Sequence, residues 1–359
     1  MRTFRKYLLP GFVFQSLVIG GGYGTGRELV QFFLTRGPLA GLGGMLIATV
    51  IWSLVLATTF ELARMTHSFD YRTFLTQLLG KGWWAYECVY VVGMILVISV
   101  LGSAAGELME DMLGTPILVG ILVMMLAVGI LAFVGSTWIE KILSFWSLAL
   151  YAVYIILLIM FMSRFGDEII AALGIPATGD SWVLGGIEYA AYNVGIVPAM
   201  LFVVRHFDYR REAIGAGLIA GLVAMIPGVF IYLAMLSQYP EILSEAIPAN
   251  YLLEALEIPL FQWVFQLILF GTLIETGVGL IHGFNERIAG FYQEKGKQIS
   301  GIVRVVIAQV VLGLAIFLAD AIGLINLIAK GYTALTWGYW LVFVIPVLTY
   351  GVYRIWRGK

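Results

Sequence analysis

The residues best suited to chemistry in this chain crowd into one window, Gly20-Gly21-Gly22-Tyr23-Gly24-Thr25-Gly26-Arg27-Glu28. Five glycines fill its first seven positions. Each glycine costs a helix interior about 1 kcal/mol relative to alanine, so the window opposes a continuous helix by roughly 5 kcal/mol. Arg27 and Glu28 then set two charges side by side, inside an apolar run that opens at Leu8 and closes near Phe33. A charge at membrane depth costs at least about 2.5–3.5 kcal/mol on insertion scales. A lipid-facing anchor has no use for such a stretch. Interrupted backbone survives at that depth where protein or a wet cavity surrounds it, and its amides and carbonyls become ligands for a solute or ion. The competing interpretation is a glycine-lined helix contact, since small residues three or four apart let helices approach. Against it, the glycines fill one short window instead of one face. A dinucleotide-binding loop is excluded, because no strand-plus-helix pattern surrounds them.

A second window of the same kind lies near mid-chain, Trp182-Val-Leu-Gly-Gly-Ile-Glu188-Tyr189-Ala-Ala-Tyr192-Asn193-Val-Gly195-Ile-Val-Pro198. Asn193-Val-Gly195 marks an interruption, and Pro198 suits the first turn of a restarted helix. The polar run Glu188 to Asn193 is then expected to face inward. A proline-kinked span with tyrosines packed between helices is the plainer alternative.

These windows need a membrane frame to position them. The chain has 359 residues, 61% hydrophobic and 12% charged, with mean hydropathy +0.95. This is an all-α polytopic membrane protein, with the lipid bilayer as its constant partner. The net charge of −1 points to no nucleic acid. One cysteine, Cys88, allows no intrachain disulfide. Arg2, Arg5 and Lys6 before an apolar run imitate a signal peptide, but no small-x-small site with a polar mature start follows, so the segment is expected to stay as a span.

Apolar runs of spanning length recur ten times, at 9–35, 39–65, 83–111, 115–135, 138–163, 182–204, 212–236, 258–289, 300–319 and 332–356. With the N-terminus inside, 17 of the 21 Lys and Arg residues fall in inner loops. That asymmetry supports ten transmembrane helices with both ends cytoplasmic. Two non-spanning stretches, His67 to Gly80 and Gln238 to Glu257, follow spans two and seven. Each half therefore runs span, span, surface helix, span, span, span. Five spans per half turn the second half upside down, the layout of an inverted repeat. Residues 9–163 and 182–356 are the expected copies within a single transmembrane domain, 1–359.

A 5+5 inverted arrangement with spans one and six discontinuous resembles the LeuT-like fold of the amino acid–polyamine–organocation superfamily. More narrowly, Gly22-Tyr23-Gly24-Thr25-Gly26-Arg27-Glu28 followed by Phe32-Phe33 resembles the YkvI-type bacterial membrane proteins. The resemblance implies a solute site at the first break, Gly20, Gly22, Tyr23, Gly24, Thr25 and Gly26, whose amides would hold a carboxylate or similar group. Helix N-termini gather unpaired amides and partial positive charge, so the chemistry fits. It implies that Tyr189, Tyr192 and Asn193 complete the pocket from span six. It also implies an ion site between spans one and eight, where span eight carries Gly271-Thr272-Leu-Ile-Glu275-Thr276-Gly277. Thr272 and Thr276 share a face, and Glu275 or Glu28 would bind sodium or carry a proton. Some proton-coupled relatives place a lysine at mid-span five; here span five offers only Lys141, near its cytoplasmic end, which argues against a lysine-based mechanism.

Arg27 and Glu188 are the gate candidates, with an anion-ligand or structural-pair role open for Arg27. Glu61 and Arg64, one turn apart, read as a structural pair at the rim of span two. Glu87 reads as reaching the interface, and His282, Asn285 and Glu286 as a solvated helix end or an inner gate. No HExxH or paired-cysteine metal site exists in the sequence. The expected function is secondary transport of a small polar organic solute, an amino acid or related amine or acid, coupled to Na+ or H+ by alternating access. No cofactor is implied beyond that ion. The alternative is a solute receptor on the same fold, like the permease-type germinant receptors. An enzyme is not expected, for want of a nucleophile–base constellation. The expected location is the bacterial plasma (inner) membrane, as a monomer or homodimer.

Overall fold

The computed structural model describes residues 4–134, 136–176, 181–294 and 301–358. Side chains at 21, 132–149, 282, 283, 285, 286, 288–294, 301, 302, 304, 305 and 307 are outside the description. Lys141, His282, Asn285 and Glu286 therefore lie outside the described side chains.

Every regular element among the described residues is helical. In chain order these are α1 (Leu9–Val18), α2 (Gly21–Gly24), α3 (Arg27–Phe32), α4 (Pro38–Met65), α5 (Tyr71–Leu79), α6 (Trp83–Leu113), α7 (Ile117–Val134), α8 (Ser136–Arg164), α9 (Gly166–Leu173) and α10 (Trp182–Val194). A 3₁₀ segment, Val197–His206, precedes α11 (Arg210–Leu236), α12 (Pro248–Leu256), α13 (Pro259–Glu294) and α14 (Gly301–Ile322). The last, α15, is the composite helix Leu324–Arg357. Among the described residues, five helices are long and apolar enough to cross a membrane, or six if α10 and the 3₁₀ segment, bent by 66°, form one span. Three shorter apolar stretches, Ile117–Leu131, Leu150–Arg164 and Ala308–Ile322, accompany them.

Local chemistry sets the helix ends. Pro38 opens α4, where its missing N–H is no loss. The Asp70 carboxylate accepts from the Thr73 amide at 2.9 Å and caps α5. The Glu212 carboxylate accepts from the Asp208 and Tyr209 amides at 2.8 and 3.2 Å, closing the start of α11. Both surface helices anticipated after spans two and seven are present, as α5 and α12.

Two groups of helices build the core. In one, α4 runs along α11 and α10, and α1 lies against α11. In the other, α6, α7, α13 and α14 pack on one another. Lipid is as apolar as leucine, so close backbone approach and interhelical hydrogen bonds hold such helices together. At the α4–α11 seam the Ser53 hydroxyl donates to the Leu218 carbonyl at 2.9 Å. Leu46, Val50, Leu54 and Leu222 stay exposed on the outer faces of the same helices, as lipid contact requires.

Both chain ends sit at one end of the bundle. Lys6 pairs with Asp208 and Glu212 at 2.8 and 2.7 Å, and Arg354 donates to the Gln77 side chain at 3.2 Å. Since α11 has 27 residues, it carries the chain about 40 Å away. Residues 238–257 thus mark the opposite end.

Candidate functional site

The first glycine window does not form one continuous helix. α1 stops at Val18, and the Gly20 amide turns back to the Val18 carbonyl at 2.8 Å. One turn, α2, follows; Gly26 then takes φ +84°, which only glycine adopts without strain, and α3 begins. Membrane-buried backbone needs partners, and the window finds them in protein. The Tyr154 hydroxyl donates to the Gly24 carbonyl at 3.1 Å. The Thr25 hydroxyl donates to the Gly22 carbonyl at 3.1 Å. The Ala249 amide, in α12, donates to the Thr25 carbonyl at 2.9 Å.

The second window ends α10 in the same way. Trp340, Thr336 and Trp52 side chains donate to the carbonyls of Ile187, Glu188 and Ala190 at 3.3, 2.7 and 3.1 Å. The Asn193 side-chain amide donates to the Tyr189 carbonyl at 2.9 Å, and the Tyr86 hydroxyl to the Gly195 carbonyl at 2.7 Å. Pro198 sits in the first turn of the 3₁₀ segment beyond the bend.

The two windows meet at Glu28. Its carboxylate, 3% exposed, accepts a hydrogen bond from the Tyr192 hydroxyl. It also folds back over Gly22, where a Cβ would stand 2.1 Å from a carboxylate oxygen. A narrow cavity of ≈ 60 Å³ opens beside it, lined by Gly20, Glu28, Tyr192, Asn193, Thr276 and Tyr332 among others. Among the described residues of that lining Glu28 is the only charged one.

The sequence-derived residues divide between this cavity and its walls. Gly20, Glu28, Tyr192, Asn193 and Thr276 come together in it. Tyr23 instead points at α11, where its hydroxyl donates to the Ala224 carbonyl at 3.3 Å. Gly24 lies under Tyr154 and Leu269, and Gly26 under Met235 and Pro248. Thr25 is fully buried against α12. Tyr189 packs among Phe32, Phe33 and Trp52 outside the lining. Thr272 and Thr276 hydroxyls donate to carbonyls one turn back, Ile268 at 2.9 Å and Thr272 at 3.0 Å. Thr276 reaches Gly20. Thr272 and Glu275 line a separate ≈ 350 Å³ apolar pocket between α1, α8 and α13.

A wider cavity of ≈ 590 Å³, lined by Asp70, Tyr71, Phe202, Glu275 and Arg287 among others, lies on the end that carries the termini. It shares Leu17, Tyr90, Ile196, Thr276 and Leu280 with the narrow one. At its wall the Arg287 guanidinium lies 3.9 Å from the Tyr71 ring and 3.5 Å from the Tyr90 ring, with Glu87 at 3.7 Å. Glu87 therefore pairs across helices, where the sequence suggested an interfacial side chain. The Glu61–Arg64 pair is present at 2.8 Å.

The opposite end is covered. Arg27, 5% exposed, donates to the Leu243 and Glu245 carbonyls at 2.9 and 2.7 Å. Its partners are loop carbonyls, so the structural contact it makes is no ion pair. The Glu188 carbonyl is held by Thr336, and its side chain is 8% exposed. Tyr192 and Tyr332 rings lie 4.7 Å apart above the cavity, with Phe32 5.7 Å from Tyr192. Sequence reasoning missed Tyr90, Tyr332 and Tyr339 in the lining and Arg287 at the wall. Among the described residues no cluster of His, Cys, Asp and Glu suits a metal ion.

No family model matches the chain. It is 24% identical over 310 residues to the uncharacterized membrane protein YkvI of Bacillus subtilis (strain 168), covering 82% of this chain and 84% of that one. Among solved structures it resembles a substrate-bound Na+-coupled sialic acid symporter, with TM-score 0.62 and 14% identity over 94% of this chain and 79% of that one. It also resembles MhsT in complex with L-phenylalanine, with TM-score 0.58 and 16% identity over 98% of both chains. These structural neighbours are LeuT-fold transporters, not enzymes. The chain is thus a polytopic membrane protein with the LeuT-like fold, related to YkvI along most of its length.

Proposed function

We propose that this protein is a secondary active transporter of a small polar organic solute, working by alternating access from the plasma membrane of a bacterium. One observation carries the reading. A cavity in the middle of the bundle is lined by span one (Gly20, Glu28), span six (Tyr192, Asn193) and span eight (Thr276). Such a site, between elements that rock against each other, is where transporters of this architecture hold cargo.

The wider organisation supports the same reading. The neighbours within each helix group exchange under a shift of five spans: one and two with six and seven, three and four with eight and nine. We read the chain as ten spans in two inverted copies, 9–163 and 182–356, with spans one and six interrupted. Both termini then lie in the cytoplasm, and the wide cavity opens there. Arg27 and the adjoining rings of Phe32, Tyr192 and Tyr332 act as the outer gate. Thr272, Glu275 and Thr276 beside span one are the proposed place for a coupling Na+ or H+. The cargo class is an amino acid or a related amine or acid.

Uptake by the purified protein in proteoliposomes, under imposed sodium or pH gradients and across a panel of such solutes, tests this. Saturable uptake that depends on one gradient is expected, with loss in Gly24→Leu and a changed ion dependence in Glu275→Gln. Tight binding without flux would favour a receptor.

A further inference from the structure

We propose that the guest of the Glu28 cavity is an organic cation, an amine or ammonium ion that carries no carboxylate of its own. The inference rests on the transport-site reading above and narrows its cargo.

The first argument is charge. Among the described residues of the lining Glu28 is the sole charged one, and the neighbouring Arg287 guanidinium is held by the Tyr71 and Tyr90 rings and Glu87. A carboxylate removed from water is stabilised by a counter-charge. A cationic guest supplies one, and an anionic guest is repelled.

The second argument is the state of the hydrogen-bond donors. A zwitterionic amino acid needs groups to receive its carboxylate. The Gly20 amide is already given to Val18, one N–H of the Asn193 amide to Tyr189, the Thr276 hydroxyl to Thr272 and the Tyr192 hydroxyl to Glu28. What these groups still offer a guest is chiefly oxygen, the Asn193 side-chain carbonyl, the Thr276 hydroxyl lone pairs and the Glu28 carboxylate, beside one remaining Asn193 N–H and the hydroxyls of Tyr332 and Tyr339. Oxygens of that kind receive N–H groups. The sequence led to the expectation that amides near Gly22 would hold a guest's carboxylate. In the structure the chain's own Glu28 carboxylate lies over Gly22, and a second carboxylate there would meet the first.

The third argument is the walls. Tyr192, Tyr332 and Tyr339 contribute to the lining, while the Tyr90 ring is already taken by Arg287. Aromatic rings attract cations through their quadrupole, including ammonium ions too substituted to donate hydrogen bonds.

The test is binding to the full-length protein in detergent, read by calorimetry. The probes are methylammonium, tetramethylammonium, glycine, L-phenylalanine and acetate. Binding by an ammonium ion, with at least tenfold weaker binding of the zwitterions and acetate, is expected. Glu28→Gln is expected to lower cation affinity at least tenfold, and Glu28→Asp to retain part of it. Should Glu28→Gln not fold, Tyr332→Leu and Tyr332→Phe give a second reading: roughly tenfold loss for Leu and little for Phe, which keeps the ring. Zwitterions that bind as tightly as the ammonium ions overturn the inference and leave the transport reading standing. Folded protein that binds no member of the panel counts against the cavity as a solute site altogether.

Discussion

The Tyr192 hydroxyl donates a hydrogen bond to the Glu28 carboxylate, joining residues 164 positions apart. One lies on α10 and the other at the start of α3, just beyond the turn at Gly26. Any motion of one interrupted span relative to the other must lengthen or remake this bond. A guest that takes up Glu28 competes for the same oxygen atoms, which links occupancy of the cavity to the relative position of the two spans.

Glu28→Gln removes the charge and keeps the shape. Uptake in proteoliposomes is expected to fall at least tenfold. Tyr192→Phe keeps the carboxylate and removes one charge-assisted donor, a change of ~1.5–3 kcal/mol. Its transport is expected to fall less far, with the guest still bound.

Gly22→Ala tests the backbone beneath the carboxylate. Its methyl group would stand 2.1 Å from a Glu28 oxygen, so Glu28 must move. Weaker binding with folded protein is the expected outcome, measured by thermal shift with and without ligand. Wild-type affinity in this variant would show that Glu28 is not held against Gly22.

The Tyr154 hydroxyl satisfies the Gly24 carbonyl inside the interrupted window. Tyr154→Phe leaves that carbonyl buried and unpaired, at a cost of ~1–3 kcal/mol. The melting temperature of the purified protein is expected to drop by a few degrees. An unchanged melting temperature would mean that water or another donor replaces the hydroxyl.

Arg27 fastens the loop before α12 through the Leu243 and Glu245 carbonyls. Thr25 sits fully buried beneath that loop. In a Cys88→Ser background, Thr25→Cys is expected to react slowly with a membrane-impermeant thiol reagent. Adding Arg27→Met is expected to speed the reaction severalfold by favouring the outward-open form. No change in rate would remove Arg27 from the gate.

Lys6 ties the start of the chain to Asp208 and Glu212. Hydrogen bonds to Asp208 and then Glu212 raise its pKa above the ordinary value of 10.5. A pKa raised in the folded form gives stability that is full below the unfolded value and lost only as pH climbs through the folded one. Limited proteolysis of the N-terminus is therefore expected to stay constant from about pH 7 to about pH 9. Lys6→Ala is expected to increase cleavage throughout that range.

The sequence made the interruptions legible because glycine and proline act on the backbone directly. Gly26 at φ +84° and Pro198 in the first turn of its segment both follow from local sterics. The α5 and α12 surface helices were legible for a similar reason: each is too short and too polar to span. The cavity lining was less so. Tyr90, Tyr332 and Tyr339 belong to a tyrosine-rich composition that suits interfacial belts equally well, and only packing turns their rings inward. Arg287 counted simply as an inner-loop charge, yet it lies between Tyr71 and Tyr90. Glu28 drew attention as an intramembrane acid. Its return over Gly22, six residues back, depends on the turn at Gly26 and has no signature in a one-dimensional pattern.

The most direct test is a density map of the full-length protein with a guest identified by the binding panel. Density for that guest is expected among Gly20, Glu28, Tyr192 and Asn193, with the helix interrupted between Val18 and Arg27. An unbroken helix through residues 20–26 packed against a dry neighbour, or a guest bound away from Glu28, would contradict this expectation.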